Sequence, residues 1–77
     1  MPVLQMKPDS FGDLEVRLPN RWTAMINSLY DGYDVQITHK SGEQITHCTL
    51  LYRTEKSALS GLNRLLKRLG WPYEVTL

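Results

Sequence analysis

The chain has 77 residues, 42% of them hydrophobic, with nine Lys and Arg against eight Asp and Glu. This length predicts one domain with a modest core, and the hydrophobic fraction argues against general disorder. The formal net charge of +1 lacks the basic excess typical of nucleic-acid-binding domains. A single cysteine excludes an intrachain disulfide, and no apolar run is long enough to span a membrane, so we expect a cytoplasmic protein.

The first residues of the chain are rich in residues that interrupt regular structure. Pro2, Pro8, Asp9 and Gly12 predict an irregular N-terminal arm over residues 1–12. Residues 13–77 are predicted to form a single β-sheet-plus-helix domain.

Two strands are predicted by alternating apolar residues, the first at positions 14, 16 and 18 and the second at 22, 24 and 26. A loop over 19–21 would place Val16 opposite Ala24. Asp31-Gly32 favours a type I′ turn, which would place Ile26 opposite Ile37 in a third strand, 33–39. Ser41-Gly42 predicts a second tight turn, with Ile37 opposite Thr46 in a fourth strand, 44–53.

These registers agree on one apolar inner face, which favours a meander. Its residues are Leu14, Val16, Leu18, Trp22, Ala24, Ile26, Tyr33, Val35, Ile37, Cys48, Leu50 and Tyr52.

A helix over 55–69 is predicted after the N-cap residue Thr54. Its leucines form one stripe, which would cover the inner face of the sheet. Gly70 and Pro72 end the helix, and Gly61 inside it is interpreted as the mark of a close packing contact. Alternation over 73–77 allows a fifth strand beside the first, so the predicted fold is α+β, an antiparallel meander with one helix.

The chemistry-bearing residues do not converge in this arrangement. Cys48 would be a small buried residue of the inner face. His39 would point inward at a strand end with a polar partner, and His47 outward. We therefore expect no catalytic residues, no metal site and no cofactor.

Two surfaces remain as candidate binding sites. The first is the outer sheet face, whose apolar and polar mixture suggests a protein contact or a homodimer, unless residues 1–12 cover it: Met25, Leu29, Gln36, Thr38, Ile45, His47 and Leu51. The second is a basic helix face that could meet an acidic protein surface or the phosphate backbone of a nucleic acid: Lys56, Arg64, Lys67 and Arg68. Solvation and cation placement at the helix C-terminus would also explain that face.

The order strand–strand–strand–helix, with the helix opened by Thr54-Glu55-Lys56-Ser57-Ala58, resembles the DNA-reading domains of the plant AP2 and phage integrase arm-binding type over residues 21–69. Those domains read DNA through a sheet face rich in arginine and aromatic residues, whereas the corresponding outer face of this chain carries Thr, Gln, Met and Ile. In size, neutral charge and irregular start the chain is also similar to small phage-encoded inhibitors, including anti-CRISPR proteins.

Function is accordingly expected to be binding and not catalysis. The leading interpretation is a small inhibitor or adaptor that occupies a surface of a larger complex. The alternative is a small DNA- or RNA-binding domain that uses the basic helix.

Overall fold

The computed structural model describes residues 2–9, 11–46 and 51–77 of the chain. In these residues one helix and seven strands follow one another in the order β1 (Val3–Gln5), β2 (Lys7–Pro8), β3 (Leu14–Arg17), β4 (Trp22–Leu29), β5 (Gly32–His39), β6 (Gln44–Thr46), α1 (Glu55–Arg68) and β7 (Glu74–Thr76).

The main sheet is antiparallel throughout, with the strands in sequence order from β2 to β6. This confirms the predicted α+β class and the meander. The additional edge strand is β2, where Lys7 pairs with Glu15 and Pro8 with Leu14. Proline is tolerated there because an edge strand leaves one row of backbone groups without a neighbour.

The register of β3 and β4 is the predicted one. Val16 lies opposite Ala24, and the Leu18 N–H donates to the Trp22 carbonyl at 2.7 Å. The loop 19–21 closes with Arg21 at a φ of 73°, a left-handed conformation that its Cβ makes unfavourable.

The register of β4 and β5 differs from the predicted one by two residues. Leu29 pairs with Gly32 and Ile26 with Val35, so Tyr30 and Asp31 form the turn. A type I′ turn is not formed, because it needs positive φ at both turn positions and neither Tyr30 nor Asp31 has it. A shift of two residues keeps every side chain on its face, so the predicted inner face of β5 is correct.

The register of β5 and β6 differs by one residue, and the prediction for Ile45 is therefore wrong. Ile37 pairs with Ile45, and the His39 N–H donates to the Glu43 carbonyl at 2.7 Å. The turn takes three residues, because positive φ occurs at Gly42 and not at Ser41. Ile45 thus packs against the core instead of lying on the outer face.

The later part of the predicted fourth strand is only partly described. Cys48 and Leu50, which were expected on the inner face, lie outside the described residues, as does His47. Tyr52 forms an isolated antiparallel bridge with Tyr33.

The helix agrees with its prediction to within one residue. The Thr54 hydroxyl accepts the Ser57 N–H at 3.1 Å, which caps the first turn. At the other end Gly70 has a φ of 76°, and its N–H donates to the Lys67 carbonyl. This is the left-handed C-terminal cap expected of glycine.

The core lies between α1 and the inner faces of β4 and β5. Leu62 and Leu66 are fully buried there with three strand residues, Ile26, Val35 and Ile37. Gly61 faces the ring of Tyr52 so closely that a Cβ would overlap it. The interpretation of this glycine as a close packing contact is confirmed.

A second, smaller sheet closes the core beside the helix. It consists of β1 and β7, which run parallel, and the buried Val75 is held by both polar groups of the Asn63 side chain, at 2.8 and 3.0 Å. The C-terminal strand is therefore present, but its neighbour is Val3–Gln5 and not Leu14–Arg17. Within the segment expected to be an irregular arm, two strands form and Met6 enters the core.

Replacing Leu62 by alanine should lower the free energy of unfolding by about 2–5 kcal/mol, because the truncation leaves a cavity between helix and sheet. The matched control is Leu77→Ala, the same change at an exposed position. Chemical denaturation of both variants measures the difference, and equal losses would contradict the described packing.

Replacing Ile45 by aspartate tests the one-residue register shift. The charge would enter the margin of the core, so we expect a loss of about 2 kcal/mol or more in the free energy of unfolding. Leu51→Asp, at an exposed site, should change it by only about 0.5 kcal/mol. An unchanged free energy of unfolding in Ile45→Asp would favour the register that pairs Ile37 with Thr46 and places Ile45 on the outer face.

Candidate functional site

The outer face of the main sheet is more polar than the sequence indicated. Met25 and Gln36 lie opposite each other on it, and Thr38 lies opposite Thr23. Beside them, the Asn27 side-chain amide donates to Asp34 at 2.8 Å and to Gln36 at 3.4 Å. Ile45 points inward and so does not contribute to this face. Among the described residues, the apolar side chain that remains in the middle of the face is that of Met25, which is half-buried.

The N-terminal arm lies elsewhere than over the outer face, as far as its residues are described. Of its described residues, Leu4 and Met6 pack against the core, and Lys7 and Pro8 extend the sheet at its edge. These residues lie at the side of the sheet and at its inner face. These arm residues therefore do not cover the outer face of the described strands.

Exposed apolar side chains concentrate at the end of the sheet where β4 turns into β5. Large exposed hydrophobic residues in the described part of the chain are Val3, Phe11, Leu29, Tyr30, Leu51 and Leu77. Four of these lie at that end, and we call them the hairpin tip: Phe11, Leu29, Tyr30 and Leu51. Two of the sequence-predicted residues, Leu29 and Leu51, thus belong to one surface.

Phe11 joins the hairpin tip through its loop. The Asp9 carboxylate accepts the backbone N–H groups of Phe11 and Asp13, at 2.8 and 3.0 Å. The Asp13 carboxylate in turn accepts the Ser28 N–H at 2.8 Å, which ties the loop to the end of β4. Phe11 is nonetheless 88% exposed, so the hydrogen bonds that hold its loop do not bury its ring.

Leu51 joins the hairpin tip through Gly32. The Tyr33 and Tyr52 backbones exchange two hydrogen bonds of 2.8 Å, which bring the chain at Leu51 alongside the start of β5. A Cβ on Gly32 would lie 2.5 Å from the Tyr52 carbonyl oxygen, so glycine is needed for this approach. Because Gly32 pairs with Leu29, the two leucines are neighbours across it.

The charges around the hairpin tip are mainly negative. Asp9 and Asp13 stand in the Phe11 loop, Asp31 follows Tyr30, and Asp34 lies on the outer face near Leu29. A positive charge is also present in this region, on Arg53, which follows Tyr52 in the sequence. The hairpin tip is therefore an apolar surface with an acidic surround.

The predicted basic helix face is formed but spread out. Lys56, Arg64, Lys67 and Arg68 are all exposed. Lys56 stands in the first turn and Arg68 in the last, about 18 Å apart along the axis at 1.5 Å per residue. The four cations accordingly form a stripe along the helix and not one focused site.

The side chains that could bind a metal ion are dispersed in the described part of the chain. Among the described residues, no group of three or more His, Cys, Asp or Glu side chains comes together. His39 has the polar partner expected for it, since the Ser41 N–H donates to its Nδ1 at 3.1 Å. No helix in the described part of the chain is long and apolar enough to cross a membrane.

Comparisons with known proteins give no relative. No family model, no curated protein and no solved structure matches the chain.

The sequence pattern does not predict the aromatic half of the hairpin tip. The predicted Asp31-Gly32 turn places Tyr30 at the end of a strand, and the apolar character of Phe11 predicts that it could attach the arm to the body. The available signal was a single aromatic residue in each of two loops that are rich in Asp and Gly. Such residues have no core position to fill.

Removing the Asp13 side chain should release the Phe11 loop from β4. Asp13→Ala should lower the free energy of unfolding by about 1–2 kcal/mol, because a carboxylate bond to a backbone N–H is lost. Asp31→Ala removes the same charge from the exposed turn and should have almost no effect. Thermal or chemical unfolding compares them, and similar losses would argue against the Asp13–Ser28 bond.

Proposed function

We propose that the chain is a non-catalytic protein-binding module that docks through the hairpin tip onto a basic surface of a larger partner. The observation that carries this proposal is the concentration of four exposed apolar side chains at one end of the sheet. Exposed apolar side chains gathered in one region of a surface are typical of protein–protein contact sites.

The two aromatic residues supply the energetic centre of the proposed interface. Phe11 and Tyr30 are almost completely exposed, so their full ring surface is free to be buried by a partner. An aromatic side chain buries about 150–250 Å², and aromatic residues are enriched among those that dominate binding energy. Leu29 and Leu51 extend the same surface.

The acidic surround gives the proposed partner its charge. Asp9, Asp13 and Asp31 would face positive groups at the rim of the interface, where complementary charge raises the association rate and excludes wrong partners. The carboxylates of Asp9 and Asp13 are fixed by backbone hydrogen bonds. Little additional ordering is therefore needed when this surface binds.

Such a module fits the role of an inhibitor that occupies a functional surface of a larger complex, as expected from the sequence. A small rigid body with an apolar, acidic tip can fill a basic groove that another ligand normally uses. Inhibition would then come from occupancy alone and would need no catalytic group.

A photo-crosslinking experiment tests the proposal. With p-benzoylphenylalanine in place of Tyr30, the chain should crosslink to a partner in a lysate of its source cells, because position 30 would lie at the centre of the interface. Leu29→Asp and Phe11→Asp, introduced singly into this crosslinking chain, should each abolish the crosslink while circular dichroism shows an unchanged fold.

The matched control carries the crosslinker at Ser60, an exposed helix position away from the hairpin tip. A crosslinked product common to positions 30 and 60 would contradict docking through the tip. A product formed only with a second copy of the chain would replace the external partner with a homodimer.

A further inference from the structure

A basic cavity lies at the opposite end of the main sheet, where β3 turns into β4 and β5 into β6. It has a volume of about 750 Å³, which is within the range of ligand-binding pockets. Arg17, Arg21 and Lys40 line it, and no Asp or Glu is among the described residues that do so. Glu43, the acid that follows the nearby β5–β6 turn, is not part of the lining.

Arg21 reaches this cavity from an unfavourable backbone conformation. Its φ of 73° is the one positive φ among the described residues other than glycine. Glycine would adopt this conformation without the steric penalty of a Cβ. The guanidinium is therefore placed at the cavity at a conformational cost, a combination that is typical of functional sites.

Two threonines of the lining also suit an oxygen-rich anion, while Leu18, Trp22 and Met25 give the cavity an apolar part. Thr23 and Thr38 lie opposite each other on β4 and β5 and bring two hydroxyl donors to the cavity beside the three cations. Behind them the ring of Trp22 contacts those of His39 and Trp71, with centroids 4.9 and 5.6 Å away.

The Trp22–Trp71 contact also brings the end of α1 to this end of the molecule. Trp71 comes just after the C-terminal cap of the helix, and its N–H donates to the Leu66 carbonyl. Lys67 and Arg68, the cations of the last helical turn, are exposed but do not line the cavity. Lys56, in the first turn, is remote from it.

We propose that this basic cavity binds the phosphodiester backbone of a nucleic acid through Arg17, Arg21 and Lys40. Arginine forks match phosphate oxygens bidentately, and threonine hydroxyls and lysine add further phosphate contacts. The site is separate from the hairpin tip, so the proposal does not depend on the protein-binding function.

The test measures the salt dependence of binding by fluorescence anisotropy, with labelled mixed-sequence duplex DNA as probe. Three phosphate contacts predict a slope of log K against log salt of about −2.7, or about 40-fold weaker binding at 200 than at 50 mM salt. Arg21→Ala should reduce the slope by about one, which leaves a loss of about 12-fold over the same range. Lys56→Ala, the matched control, should leave it unchanged.

A second pair of variants separates the charge of Arg21 from its backbone strain. Arg21→Gly and Arg21→Ala lose the same charge and should weaken DNA binding equally. The glycine variant should melt about 5 °C above the alanine variant, because only alanine keeps the Cβ in the left-handed conformation. Weakening by alanine alone would mean that loop distortion caused it, and would overturn the role of the guanidinium.

Three further outcomes decide the proposal. Absence of DNA binding by the wild-type chain at 50 mM salt overturns it, and so does equal weakening by Lys56→Ala. Binding of poly-L-glutamate as tight as that of DNA would assign the cavity to an acidic protein instead. Phe11→Ser and Tyr30→Ser should leave DNA binding intact, which keeps this result independent of the hairpin tip.

Discussion

The packing of two leucines of α1 onto three residues of the sheet holds the rest of the molecule in place. Leu62 and Leu66 meet Ile26, Val35 and Ile37 in the fully buried centre of the core. Hydrophobic burial of this kind is the main favourable term in a domain with few residues, so little else can replace it. The same contact joins the helix to both β4 and β5, which pair with each other along their whole length. The two ends of this strand pair carry unlike surfaces, the aromatic and acidic hairpin tip at one and the basic cavity at the other.

The apolar pattern of the sequence determined which face of each strand is buried, but not how the strands align. The pairing of β4 with β5 slips by two residues from the predicted register, and the inner face survives because side chains alternate with a period of two. The pairing of β5 with β6 slips by one, and Ile45 changes face. The one-residue slip follows from the geometry of the β5–β6 turn. Within that turn, Gly42 has a positive φ and Ser41 does not, which gives a loop of three residues instead of two. Residue types around a turn do not specify that choice uniquely.

The candidate sites were harder to predict than the fold because each is assembled from separate loops. Leu29 and Leu51 could be placed on a common surface from the strand pattern, whereas Phe11 reaches them through an Asp13 bond to Ser28. The cavity likewise combines residues from two turns that meet only once the sheet is formed. In the sequence its cations are offset by nearby acids, so a net charge of +1 conceals a separation of charge along the molecule. Composition alone does not show how the charges are distributed over the surface.

The parallel pairing of β1 and β7 has a mechanical consequence. The strands run side by side, with Val3 opposite Glu74 and Gln5 opposite Thr76, so a pull on the two chain ends acts in opposite directions along them. The load is then a shear that falls on several backbone hydrogen bonds at once, including those from Met6 to Thr76 and from Glu74 to Pro2. Asn63 anchors the same strand to α1 through two further bonds. A stretched chain would therefore resist at this small sheet first, and the main sheet would bear force only after it had parted.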